Sequence, residues 1–223
     1  MENEVGLPTS AIATTERAIS LFDDAAKASG KSMALMLADS YFFLFLCREK
    51  LGATRESLMA IDLAVKLTLQ VNEEQRKGNI GWLTHVWGSK ARLLGKLGIA
   101  TDAAAAAEKA IAIQQGAADV ESVGVRRRLT DLFLQYSTYL EQSGRVADAW
   151  SAAAESWRMA AALPPLNPAR RDSERLDASS KAMARLGDLI PDIWFAQYSQ
   201  RFLGGIKSTF RRIQFYGWKG LWP

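Results

Sequence analysis

An all-α array of helical hairpins is the fold class this sequence predicts, and three observations predict it. Glycines recur at 6, 52, 98 and 144, a constant step of 46 residues. Each leads into a stretch whose small and apolar residues recur at spacings of three and four, the period of one helix face. No stretch alternates polar and apolar residues over the length of a strand. Matching residues travel with the glycines. Glu16-Arg17-Ala18-Ile19 aligns with Glu108-Lys109-Ala110-Ile111 two steps later, and Leu51-Gly52 aligns with Leu97-Gly98.

Each repeat reads as two helices joined at the glycine, which supplies the left-handed residue that ends a helix. Helices are expected over 9–29, 32–51, 54–72, 74–97, 100–117, 120–143, 146–162 and 171–188. The first helix of each hairpin carries bulky apolar residues, such as Leu37, Tyr41, Leu44 and Phe45 before Gly52. The second is rich in small residues, such as Ala60, Ala64, Ala103, Ala107, Ala110, Ala149 and Ala153, which let helices approach closely. Thr54, Thr101-Asp102 and Asp148 stand where they can cap the second helix or bias its first turn. Gly6 takes the place of a turn, so the chain is expected to open with a lone second-type helix that caps the array. Leu163-Pro-Pro-Leu-Asn-Pro168 is the clearest break. A more polar helix follows it, and residues 192–203 read as that helix's partner.

This pattern resembles the tetratricopeptide repeat (TPR) superfamily over roughly residues 6–163. The resemblance rests on Tyr41, Trp87 and Phe133 in the first helix of each hairpin (helix A), and on the turn glycines Gly52, Gly98 and Gly144. It rests also on the small pairs Ser57/Ala64, Ala103/Ala110 and Ala149/Ser156 in the second (helix B). The 46-residue step is longer than the usual 34 or so. Phe45 occupies the mid-helix position that is Ala91 and Ser137 in the later repeats. The resemblance implies a right-handed TPR-like helical-hairpin solenoid whose concave face is lined by A helices and holds protein partners. The implied groove positions are Asp39, Phe42, Leu46, Glu49 and Lys50, then His85, Gly88, Arg92 and Lys96, then Asp131, Leu134, Thr138 and Gln142.

Composition excludes other classes. The chain has 223 residues, 48% of them apolar and 23% charged, as in an ordinary globular domain. One cysteine, Cys47, rules out a disulfide framework, and with one histidine, His85, it rules out the usual Cys/His zinc sites. The opening Met-Glu-Asn-Glu is unlike a secretory leader, so a cytoplasmic protein is expected. Acidic residues are spread singly along the helices, and no glycine pattern follows a strand to cradle a phosphate. No enzymatic activity, cofactor or metal is therefore expected. Cys47, following Phe42-Phe43-Leu44-Phe45-Leu46, reads as a buried inert thiol. Arg126-Arg127-Arg128 spreads around a helix, and a solvated face competes with phosphate or acidic-peptide capture.

Charge is uneven along the chain. Residues 1–192 sum to −1, whereas 193–223 carry five cations and no acid. That C-terminal stretch also holds nine of the 21 aromatics. Three roles compete for it: a cap on the last repeat, a partner-docking element, and a membrane-surface anchor with Trp and Tyr at headgroup depth. Its docking residues would be Trp194, Tyr198, Phe202, Phe210, Arg211, Arg212, Phe215, Tyr216, Trp218 and Trp222. Five cations without a larger basic face are few for nucleic acid. The chain thus divides into a repeat array (1–163), a degenerate C-terminal repeat helix (164–192) and a basic aromatic extension (193–223). The expected function is a protein-interaction scaffold or adaptor, a subunit of a larger assembly. The alternative is a peripheral membrane protein held by its C-terminal extension.

Overall fold

The computed structural model describes residues 3–29, 32–117, 119, 121–163 and 170–189. Every regular element among them is helical: α1 (Asn3–Ser29), α2 (Ala34–Lys50), α3 (Thr54–Thr68), α4 (Glu73–Gly78), α5 (Ile80–Lys96), α6 (Ala100–Gln115), α7 (Val123–Gln142), α8 (Val146–Ala161) and α9 (Arg170–Gly187). The hairpins are α2–α3, α5–α6 and α7–α8, with α1 packed on α2 before them and α9 on α8 after them. The A helices are α2, α5 and α7, with α9 in the next A position. The expected partner helix over 192–203, the basic aromatic extension and the Pro164-Pro165 break lie outside the described residues.

All three hairpins turn in the same way. Gly52, Gly98 and Gly144 have φ of 73°, 73° and 81°. At each, the glycine N–H donates three residues back: to Glu49 O (3.0 Å), Gly95 O (3.1 Å) and Glu141 O (2.9 Å). The next N–H donates five residues back: Ala53 to Arg48 O, Ile99 to Leu94 O and Arg145 to Leu140 O. This double bond closes the last turn of the A helix and needs φ > 0 at its centre, where glycine bears no steric penalty.

The small residues of the B helices sit where the repeat places them. Ser57, Ala64, Ala103, Ala110, Ala149, Ala153 and Ser156 are all wholly buried. Tyr41, Trp87 and Phe133 pack partly buried against the adjoining apolar clusters. Phe45, Ala91 and Ser137, which share one register position, are also buried. A bulky Phe45 fits there because the first hairpin meets the long α1 instead of another complete hairpin.

Four expectations are corrected. Gly6 is not a turn: α1 runs through it from Asn3. Residues 74–97 are not one helix. Asn79 (φ −126°, ψ 21°) separates α4 from α5, and its side-chain amide donates to Gln75 O at 2.8 Å. A short polar side chain that bonds its own backbone competes with helix continuation, and Gly78 before it adds little resistance. Thr54, Thr101-Asp102 and Asp148 do not cap. The N-cap positions are Ala53, Ile99 and Arg145, none with a side-chain cap, although Asp102 and Asp148 do lie in first turns. Cys47 is half-buried, not buried.

Candidate functional site

Successive A helices meet side by side, and residues 43 or 44 apart face each other across each junction. At α2/α5, Trp82 Nε1 donates to Asp39 Oδ1 (3.0 Å), and Arg92 forks onto both oxygens of Glu49 (2.6 and 2.8 Å). Lys96 Nζ adds a third bond to Glu49 Oε1 (2.9 Å). At α7/α9, Arg175 forks onto Asp131 (2.7 and 2.8 Å) and Arg185 onto Glu141 (both 2.6 Å). Asp131 and Glu141 stand two repeats beyond Asp39 and Glu49. The two outer junctions therefore use the same acidic positions.

These carboxylates need their cations. Glu49 and Glu141 sit in the last turn of an A helix, where the helix dipole disfavours negative charge. The bonds from Arg92 and then Lys96 hold the Glu49 carboxyl down at about 2, against burial, which pushes it up. The same bond to Glu49 raises Arg92.

The middle junction, α5/α7, is built differently. Its residues in register with the acids are His85 and Gly95. Gly95 lies under the ring of Tyr139, so close that a Cβ there would come 2.4 Å from Tyr139 Cε1. Gly88 faces Leu132, with room for an ordinary contact at 3.5 Å. Burial raises the Tyr139 phenol, partly offset by Arg92. Above this apolar contact the helices enclose a cleft of about 230 Å³, lined by Gly81, Thr84, His85, Gly88, Ser89, Arg92, Arg128, Asp131, Leu132 and Gln135.

The polar groups of the cleft are unequally satisfied. Asp131 is claimed by Arg175 and Arg92 by Glu49. Arg128 donates from Nε to Gln114 Oε1 at 3.1 Å and has no acidic partner among the described residues. Among the described residues the buried hydroxyl of Thr84 has no hydrogen-bond partner, and neither has Nε2 of the adjoining buried Gln114. His85 meets Phe42 edge-on at 5.2 Å between ring centres. Desolvation, with Arg92 nearby, lowers its titration, which keeps the imidazole neutral at pH 7.

The structure brings four of the sequence-derived groove positions, His85, Gly88, Arg92 and Asp131, into this one cleft. The others lie elsewhere. Phe42 is buried, Leu46 packs partly buried in the first hairpin's core, and Asp39 is tied to Trp82. Lys50 and Gln142 are exposed, Lys96 is engaged by Glu49, and Leu134 is half-buried. Thr138 is exposed, its hydroxyl donating to Leu134 O at 3.2 Å. Thr84, Ser89, Arg128, Leu132 and Gln135 were not among the expected groove positions. The arginine run does not act as one patch, since Arg126 pairs with Glu121 and donates to Ala162 O while Arg128 alone reaches the cleft. Among the described residues no group of three His, Cys, Asp or Glu could hold a metal. No helix there is long and apolar enough to cross a membrane.

No protein-family model and no curated protein sequence matches the chain. Solved structures do. The chain is similar to the nearly identical TPR-like repeats of a kinesin light chain-like protein of Podosopora anserina, with 14% identity, 96% of each chain covered and a TM-score of 0.53. A variant form of those repeats gives 15% identity, 95% and 96% coverage and a TM-score of 0.54. BtubC (BKLC) of P. vanneervenii covers 83% of this chain and 75% of its own, at 14% identity and a TM-score of 0.47. The protein is an all-α TPR-like helical-hairpin solenoid. At these identities the likeness is one of fold.

Proposed function

We propose that the protein is a non-enzymatic interaction scaffold whose A-helix face holds a protein partner at the α5/α7 junction. The observation that carries this reading is the cleft itself. The outer junctions satisfy their carboxylates internally, whereas the middle one leaves Arg128 without an acid among the described residues. A guanidinium left in this state is one an incoming surface can satisfy with net gain. The test is a photo-cross-linking residue at exposed Gln135, compared with one at exposed Lys109 on α6. A discrete adduct from Gln135 that is missing from Lys109 is the expected result. Equal labelling from both positions would end this assignment.

A second role belongs to residues 193–223, favoured by their nine aromatics and five cations. They are the docking element that joins the array to a larger assembly, through aromatic anchors and Arg. The alternative is attachment to an anionic membrane surface. Flotation with anionic liposomes, with and without the stretch from Gly204 onward, separates the two. Salt-sensitive flotation of the full chain alone selects the membrane.

A further inference from the structure

The geometry points to a carboxylate-binding site in the α5/α7 cleft: an acidic side chain of a protein partner enters between Arg92 and Arg128 and occupies the place that the array's own aspartates fill at the other two junctions. This inference rests on the scaffold reading above and specifies the chemistry its partner must present.

The array supplies its own template. Asp39, His85 and Asp131 hold one register position, each 46 residues from the next. At the first junction Asp39 accepts from Trp82, and at the third Asp131 accepts from Arg175. In the middle the acid is replaced by His85, while the donor is retained, because Arg128 stands one 46-residue step after Trp82. His85 and Arg128 both line the cleft. A donor has been kept and its acceptor removed.

The charges around the cleft agree. Its charged lining is two cations, Arg92 and Arg128, against one carboxylate, Asp131. A carboxylate brought in would neutralise part of this excess. Asp131 is the one acid that would oppose it, and Arg175 covers both of its oxygens. A guanidinium fork that takes a carboxylate through two bonds is shorter and stronger than a neutral contact. The Arg175–Asp131 pair shows that these helices can present such a fork. A neutral imidazole adds a donor without adding charge. Leu132 and Gly88 give the aliphatic part of the incoming side chain an apolar floor.

The test uses the full chain and a fluorescein-labelled hexaglutamate peptide, read by anisotropy, with hexalysine and hexaglutamine as controls. Wild type should bind hexaglutamate alone of the three. His85→Asp restores the internal acid and should weaken binding at least about tenfold, the loss of one charge-assisted contact. Its melting temperature should not fall. Arg128→Gln removes the fork and should weaken binding to a similar degree. Arg55→Gln with Lys66→Gln, both exposed on α3, should leave affinity unchanged. The inference is overturned if both cleft variants bind as wild type does, or if the loss comes instead from substituting the cations of the C-terminal stretch. It is overturned as a carboxylate site if inorganic phosphate displaces the peptide at equal concentration. The two proposals fail separately. A Gln135 adduct that persists undiminished in His85→Asp and Arg128→Gln sinks the carboxylate site and leaves the scaffold standing. Loss of that adduct's preference over Lys109 sinks the scaffold.

Discussion

The outer A-helix junctions and the middle one are made from the same repeat and solve the same packing problem in opposite ways. At α2/α5 and α7/α9 the helices are tied by arginines of the next repeat that fork onto acids. At α5/α7 the tie is replaced by a glycine under a tyrosine, with a cleft beside it. A tied junction satisfies its charges and has little to offer a partner. The middle junction keeps cohesion through apolar contact and keeps its polar groups available. On the proposed reading, stability and recognition fall to different residues at one interface, with Gly95 and Tyr139 for the first and His85, Arg92 and Arg128 for the second.

If that division is right, the largest effect comes from removing the wedge. Tyr139 is 8% exposed and packs in the central apolar cluster. Tyr139→Ala should cost about 3–5 kcal/mol, the usual loss for emptying a large aromatic site. Gly95→Ala attacks the same contact from the other side, with a Cβ driven against a buried ring that has little room to move. About 1–3 kcal/mol is expected from overpacking. Urea unfolding followed by circular dichroism reads both. A Gly95→Ala midpoint equal to wild type would show that the two helices can separate freely, and the middle junction would then be loose and not wedged.

The ionic ties predict a smaller effect with a pH signature. Glu49→Gln leaves Arg92 without its acid and should cost about 1–2 kcal/mol, between the exposed and the buried extremes for ion pairs. The folded carboxyl titrates at about 2, below its ordinary 4.5. On acidification the unfolded chain takes up the proton first. The Glu49 contribution is therefore whole above about pH 4.5 and is lost as pH falls towards 2. The gap between wild type and Glu49→Gln should close across that window. A gap that stays constant from pH 7 to 3 would mean that the loss is steric and not ionic.

The sequence already displayed much of this. The 46-residue step located three turns and the buried small residues, because both depend on local backbone geometry and on one helix face. The exchange of Asp for His between Asp39, His85 and Asp131 could also be read from register. The pairings could not. Contacts across A helices run at 43 or 44 residues while the repeat runs at 46, and that offset is set by how the helices slide on packing. Nothing local marks Arg175 as the partner of Asp131, or Gly95 as a seat for Tyr139. The Asn79 break was hidden for a different reason. Gly78-Asn79 is a weak local signal that the 46-residue register overrode, and the side chain's bond to Gln75 O takes the place of helix continuation.

The smallest expected effect asks whether the middle junction is really where polarity goes unmet. Thr84 is 4% exposed, lines the cleft, and its Oγ1 has no hydrogen-bond partner among the described residues. A buried hydroxyl in that state lowers stability, since it gave up its bonds to water and gained none. Valine keeps the branched shape and removes the unmet group. Thr84→Val should therefore raise stability by up to about 1 kcal/mol, read as a small upward shift in the urea midpoint. Thr130 provides the contrast. Its hydroxyl donates to Arg126 O at 2.9 Å, so Thr130→Val should be neutral or destabilising. If Thr84→Val instead lowers the midpoint as Thr130→Val does, the Thr84 hydroxyl is bonded in solution. The cleft would then be better satisfied than its lining indicates, and the distinction between tied and open junctions would have to rest on Arg128 alone.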